Sequence, residues 1–146
     1  MQQPLVSILM PVHNAAPYLR ASIESVSAQS YANWELIVVD DHSDDTSLSV
    51  AQEFTSEPRI TVLAGSNHGA SACRNQAFLA SKGDFVKFLD ADDILSETHI
   101  EQQVPAVIEN PMQVACSAWT RFEHAIPDRA ILTPDSSWRT LEPLDW

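Results

Sequence analysis

Basic residues are scarce in this chain. Its 146 residues carry 8 lysines and arginines against 20 aspartates and glutamates, for a net charge of −12. A nucleic-acid partner demands a basic face that displaces counterions from phosphates, and this composition cannot build a large one. No nucleic-acid partner is expected. A small anionic ligand remains compatible, given a metal or one or two well-placed cations to offset local repulsion. Cysteine is equally sparse. Cys73 and Cys116 stand 43 residues apart, which is neither a zinc motif nor a disulfide framework. Two free thiols fit a reducing, cytoplasmic setting. Long apolar runs are missing too: no stretch approaches the roughly 18 residues of a membrane helix. The N-terminus, "MQQPLVSILMPV", shows no basic leader and no cleavage-site pattern, so a secretory signal is not expected.

What is present reads as one domain over residues 1–146, an α/β chain of alternating strands and helices. "LVSILMPV" (5–12), "WELIVVD" (34–40), "RITVLA" (59–64) and "GDFVKFLD" (83–90) are short apolar runs with β-branched residues, and they predict four strands. Between them lie helical patterns. Leu19, Ile23 and Val26 share one face of the first, whose Pro17 sits where a first turn tolerates it. Leu48, Ala51 and Phe54 share a side of the second, and Ala70, Cys73, Ala77 and Ala80 form a small-residue face on the third. Beyond Ser96 the spacing of Ile100, Val104, Val107 and Ile108 is helical, but Pro105 either stops that helix or restarts it. "MQVACSAWTRF" (112–122) is a candidate strand, and the last 24 residues, with three prolines, give no regular pattern.

Strand–helix alternation implies a mostly parallel sheet flanked by helices, with ligands beyond the carboxyl ends of the strands. The polar clusters obey that rule. "HN" (13–14), "DDHSDD" (40–45), "GSNHG" (65–69) and "DADD" (90–93) each follow one of the four strands, so all four fall at one edge. In "FLDADDIL", three carboxylates crowd together after an apolar run. On an extended segment Asp90 and Asp92 point the same way. They can then offer oxygens to one hard cation, Mg²⁺ or Mn²⁺, with phosphate and water completing its shell. Otherwise they are solvated loop acids or helix caps. Asp40 and Asp41 end a strand, so one of them faces the ligand, where a carboxylate accepts from the N3–H of a uracil-type base. Asp44 and Asp45 instead suit the N-terminus of a helix. Arg74 meets either a phosphate or an acid of the site, and His13 is either a base or ribose contact or a turn residue.

These blocks resemble the family 2 glycosyltransferases with the GT-A (Rossmann-like) fold. "VSILMPVHN" is similar to that family's first strand, and "QSYANWELIVVDDHSDDT" to its nucleotide-recognition segment. "NHGASACRNQAFLASKGDFVKFLDADD" is similar to the segment ending in its metal-binding D-x-D. The blocks keep the family's order and approximate spacing over residues 5–95, about two-thirds of the chain. The resemblance implies a nucleotide-binding part over about 4–110 and the start of an acceptor-side region over 111–146. It implies that Asp41 binds the base, usually uracil, that Pro11 and His13 line the base pocket, and that Arg74 lies close to the site. Asp92 would coordinate the metal, with Asp90 beside it on the metal and ribose side. The implied reaction is inverting sugar transfer from a nucleotide donor, most often a UDP-sugar, to an acceptor hydroxyl. A saccharide or lipid-linked acceptor of the cell envelope would fit, as would a cytoplasmic location with peripheral association at the inner face of the membrane. The family's catalytic base lies well downstream of the D-x-D. This chain stops 53 residues after Asp93, so a truncated C-terminus is expected. Glu123, Asp128, Asp135 and Glu142 are available there, and none sits in a motif that marks it as the base.

Other readings explain less. A haloacid-dehalogenase-type phosphatase also places D-x-D after an apolar strand, but at the start of its fold, and it leaves the upstream blocks unexplained. A Rossmann dehydrogenase needs G-x-G-x-x-G after the first strand, and "PVHNAAPY" holds no glycine. A receiver domain would set its acids after the first and third strands, whereas here they follow the second and fourth. A nucleotide-sugar binding module without turnover is the alternative outside enzymes.

Overall fold

The computed structural model describes residues 3–66, 68–110 and 114–117. They fall into two compact units, one ending at Gln102 and the other beginning at Gln103. The first unit holds the whole sheet. Its strands are β1 (Val6–Val12), β2 (Trp34–Asp40), β3 (Ile60–Ala64) and β4 (Phe85–Phe88), with helices α1 (Ala16–Ser27), α2 (Ser47–Gln52) and α3 (Ala70–Ala80) between them. The order is β3-β2-β1-β4, and every pairing is parallel. The expected α/β class, with a parallel sheet flanked by helices, is what the chain forms.

β1 lies between β2 and β4, and all seven of its residues are buried. That is why it reads as a nearly continuous apolar run, broken only at Ser7, rather than an alternating one. Successive residues still point to opposite faces. Leu9, Ile37 and Val39 meet Cys73 and Ala77 of α3 on one face, with Leu63 and Val86 packed beside them. On α1, Leu19, Ile23 and Val26 are fully buried, as the spacing predicts. Each such aliphatic side chain contributes about 1.5–3 kcal/mol of burial, so the apolar faces and not local propensity hold the helices.

Two helical faces are narrower than expected. On α3 only Cys73 and Ala77 are buried, while Ala70 and Ala80 are exposed, because the helix meets the sheet over its middle turns. α2 spans only six residues, Ser47 and Ala51 face inward, and Leu48 is 37% exposed. Phe54 lies past its end, under the Arg20 guanidinium at 5.5 Å. A further helix, α4 (His99–Glu109), runs through Pro105 without stopping or restarting there. Ile100 and Val104 are buried, whereas Pro105 is exposed, so water reaches the carbonyl that loses its partner. Of the candidate strand 112–122, residues 114–117 carry no regular structure and the rest lies outside the described residues.

Pro11 decides where the sheet opens. Even-numbered residues of β1 bond to the β2 side, as in Val6 N–H to Asn33 O and Asp41 N–H to Val12 O. Odd-numbered positions bond to the β4 side, as in Leu89 N–H to Leu9 O. Pro11 would have to donate toward β4 and has no N–H to do so. The β1–β4 pairing ends at Leu9↔Phe88, while β1–β2 continues to Val12↔Asp40. A gap therefore opens between β1 and β4 at the carboxyl edge. It lies at the point where the strand order reverses, the place such sheets bind ligands.

Candidate functional site

A cleft of about 620 Å³ occupies that gap, a volume suited to a small organic ligand. Pro11, Val12, His13, Asn14 and Ala15 line it from the end of β1, and Tyr18 from α1. Asp41 enters from β2, Gly69, Ala70 and Arg74 from α3, and Asp90, Ala91 and Asp92 from the end of β4. All six residues nominated from sequence, Pro11, His13, Asp41, Arg74, Asp90 and Asp92, thus border one cavity.

The loops after β1 and β2 are clasped together. Asn14, at a φ of 51°, donates its N–H to Ser43 Oγ at 3.0 Å and accepts from Asp44 N–H through Oδ1 at 2.8 Å. The N-terminus of α1 carries no side-chain cap of its own. Its orphan donors are satisfied from across the loop: Ala15 N–H by Ser47 Oγ at 2.9 Å and Ala16 N–H by Asp45 Oδ2 at 3.1 Å. Asp45 also accepts from Ser47 N–H at 2.8 Å, and a hydrogen bond with the Ser47 side chain foremost, then these main-chain bonds, lower its pKa. Asp45 is therefore a capping residue, as its place before a helix suggests. His13 Nδ1 lies 2.9 Å from the carbonyl of Asp41. A carbonyl only accepts, so Nδ1 carries the hydrogen and Nε2 is left to accept from Asn14 Nδ2 at 3.3 Å.

Of the paired acids ending β2, Asp41 borders the cleft. Asp40 does not, and its Oδ2 accepts from Ser43 N–H at 3.2 Å. Asp41 is only 5% exposed. Its Oδ2 accepts from Gly69 N–H at 2.8 Å, at the N-terminus of α3, where the helix dipole favours negative charge. The buried Cys73 thiol is its neighbour. Burial pushes that thiol up to about 11, and the Asp41 carboxylate adds to the shift through its charge and a hydrogen bond.

The acidic segment departs from the extended geometry that the i, i+2 argument assumes. Asp93 N–H donates to Asp90 O at 3.1 Å, so residues 90–93 form a turn with Ala91 buried. Asp90 and Asp92 still reach the cleft, while Asp93 lies outside its lining. Desolvation and then the charges of Asp92 and Asp90 raise the Asp93 pKa, the signature of crowded carboxylates. Arg74 reaches over from α3 and pairs with Asp90, Nη2 to Oδ1 at 2.5 Å. Both side chains are part-exposed, so the pair contributes about 0–1 kcal/mol and can give way to a ligand.

A polar row on α1 and just past its end, which apolar periodicity passes over, braces the acidic turn and the segment that follows it. Ser22 Oγ donates to Asp90 O at 3.4 Å, and Ser25 Oγ accepts from Leu95 N–H at 3.1 Å. Gln29 donates to Ser96 O at 2.7 Å and accepts from Ile100 N–H at 3.1 Å. All three are buried. Their signal in the sequence is a polar row at i, i+3 and i+7 beside the apolar face. Tyr18, 58% exposed at the cleft, has no such signal.

Among the described residues no three His, Cys, Asp or Glu side chains converge on a metal position. The donors present are two exposed carboxylates, Asp90 and Asp92, one of them shared with Arg74. That set fits a hard cation that takes one or two protein oxygens and draws the rest from phosphate and water. It does not fit an ion caged by protein alone. The downstream acids Glu123, Asp128, Asp135 and Glu142 lie outside the described residues.

Comparison with known proteins gives this geometry a family. The model of "Glycosyl transferase family 2" matches residues 7–139. The Escherichia coli UDP-Glc:alpha-D-GlcNAc-diphosphoundecaprenol beta-1,3-glucosyltransferase WfgD is 43% identical over 111 residues. The match takes in 75% of this chain and 44% of that protein, so the chain spans under half the relative's length. Among solved structures, Staphylococcus aureus TarS 1–349 in complex with UDP-GlcNAc superposes with a TM-score of 0.67 at 24% identity, over 74% of this chain and 32% of that one. The mannosyltransferase PcManGT from Pyrobaculum calidifontis, in complex with GDP-Man and Mn²⁺, does so at 0.60 and 25%, over 64% and 29%. The TarS likeness speaks to the fold, a GT-A sheet with its cleft at the strand ends. With the family model covering most of its length and such a relative beside it, this chain belongs to glycosyl transferase family 2.

Proposed function

We propose that the cleft holds the nucleotide end of a UDP-sugar and that the protein transfers the sugar, with inversion, to an acceptor hydroxyl in polysaccharide or glycoconjugate synthesis. The observation that carries this reading is the meeting of Asp41, Arg74, Asp90 and Asp92 around one cavity at the switch point of the sheet. A net charge of −12 makes a diphosphate hard to hold without added cations, and Arg74 is the basic residue at the cleft. UDP is favoured by the buried Asp41, which accepts from a uracil N3–H, and by the donor named for the E. coli relative. Pro11 and His13 flank the base. Arg74 leaves Asp90 for the diphosphate, and the low worth of an exposed pair makes that exchange cheap. Asp92, with Asp90, holds Mg²⁺ or Mn²⁺, a choice supported by the Mn²⁺ in the Pyrobaculum complex. When bound, such a cation stabilises negative charge on a departing diphosphate. The acceptor oxygen bonds to the anomeric carbon as the bond to the diphosphate breaks, and its proton passes to a base beyond the described residues.

The diphosphoundecaprenol acceptor named for the relative supports a lipid-linked saccharide here as well, met at the inner face of the membrane. No helix among the described residues is long and apolar enough to cross a membrane. Calorimetric titration of UDP, with and without Mn²⁺, tests the donor site. Wild type should bind UDP in a Mn²⁺-dependent way, and Asp92→Ala should lose that dependence. Binding indifferent to Mn²⁺ or to Asp92 would overturn the metal assignment, and no UDP binding in either condition would overturn the choice of base.

A further inference from the structure

Asp41 needs a fixed orientation to present an oxygen to a base, and the glycine that ends β3 supplies room for it. A Cβ built on Gly65 would stand 2.9 Å from Asp41 Oδ1, and 3.0 Å from both Asp41 Cα and Asp40 O. Real Cβ atoms essentially never come closer than 3.0 Å, and two of these three neighbours are main-chain atoms with little freedom to yield. The main chain here is drawn tight by the β2–β3 pairing, which runs to Asp40↔Ala64, and by Gly65 N–H donating to Asp40 O at 2.7 Å. The backbone angles do not call for glycine, because among the described residues the only glycine at positive φ is Gly69. Space does. Gly69 plays the complementary part: at a φ of 84° it donates its N–H to Asp41 Oδ2 at 2.8 Å. One carboxylate oxygen is thus tied to Gly69, and the other lies against the bare face of Gly65.

We infer that Gly65 is a positioning residue for nucleobase recognition: its missing side chain leaves the space in which the Asp41 carboxylate takes the orientation that meets the base. The inference rests on the reading of Asp41 as the base acceptor. It adds a residue that does not line the cleft and touches no ligand. A methyl group at position 65 rotates the carboxylate off its bond to Gly69 or pushes β3 from β2. In either case the base loses its acceptor, while the diphosphate end keeps Arg74, Asp90 and Asp92.

The test compares two probes in the presence of Mn²⁺, UDP and ribose 5-diphosphate, which lacks the base. Both are titrated into the wild type, Gly65→Ala, Asp41→Asn and the double variant, with thermal unfolding of each. The expected result is a UDP affinity about tenfold weaker in Gly65→Ala, unchanged ribose 5-diphosphate affinity, and no further loss in the double variant. Unchanged UDP affinity in Gly65→Ala, beside a loss in Asp41→Asn, overturns the inference alone. Unchanged UDP affinity in Asp41→Asn overturns the base reading and the inference with it. Equal loss of both probes, or no cooperative unfolding transition in Gly65→Ala, makes Gly65 a folding residue and overturns the positioning role.

Discussion

Gln29→Met removes hydrogen bonds from the back of the site while keeping the volume of the side chain. Gln29 is 8% exposed, and its amide makes three bonds: Nε2 to Ser25 O at 3.1 Å, Nε2 to Ser96 O at 2.7 Å, and Oε1 from Ile100 N–H at 3.1 Å. The three do not weigh equally. Ile100 is 2% exposed, and its N–H is one of the orphan donors at the start of α4, so losing its acceptor costs a buried donor about 1–3 kcal/mol. Ser96 is exposed, and its carbonyl recovers a bond to water for a loss of about 0.5 kcal/mol. Ser25 is 9% exposed and loses about 0.5–1 kcal/mol. The sum is about 3 kcal/mol. With a urea m-value of about 1.5 kcal/mol per molar, the midpoint should fall by about 2 M at unchanged slope. Hydrogen exchange should speed up at Ile100, the amide that Gln29 receives. A midpoint shift under about 0.5 M would refute the argument that Gln29 holds the start of α4 and the chain before it.

Three further outcomes are expected. Arg74→Ala should weaken UDP binding in Mn²⁺ about tenfold yet shift stability by no more than about 0.5 kcal/mol, because its pair with Asp90 is part-exposed; calorimetry and urea unfolding read the two effects separately. Gly83→Ala should cost about 3 kcal/mol in urea unfolding. Its Cβ would come within 2.9 Å of Ser7 Oγ, Ser7 N and Leu5 O, so the cost combines overpacking with loss of the Gly83 N–H bond to Ser7 Oγ. The Cys73 thiol is raised from 9.0 to about 11 in the fold. Between those values the unfolded chain binds fewer protons than the folded one, so stability falls as pH climbs from about 9 to 11 and is unaffected by this group below 9. Cys73→Ala should flatten that part of the pH–stability profile.

The site edge was legible because it depends on chain order alone. Four apolar strands, each followed by a polar cluster, place His13, Asp41, the Gly69 loop and Asp90 together whenever the sheet is parallel. The bond of Asp45 to Ser47 N–H was legible for a local reason, an acid just ahead of a helix, whereas its bond to Ala16 N–H of α1 was not. What escaped depends on distance in space. The exposure of Ala70, Ala80 and Leu48 follows from where helices cross the sheet, which a single helix's periodicity does not contain. The segment from Asp90 to Leu95 is held by bonds from α1, some 70 residues earlier in the chain. Gly65 looks like a loop glycine in sequence, and Gly83 like the first residue of a strand. Only the approach of β2 and β1 reveals that a methyl group has nowhere to go at either position.

Pro11 has a kinetic consequence. Because it offers β4 no donor, the two strands cannot zip shut beyond Leu9↔Phe88 when the cavity is empty. On the reading proposed for the cleft, the opening is then present without parting of the strands, and what rearranges on binding is the part-exposed Arg74–Asp90 pair. Nucleotide arrival should run at the pace of encounter, with no slower step in which strands first part.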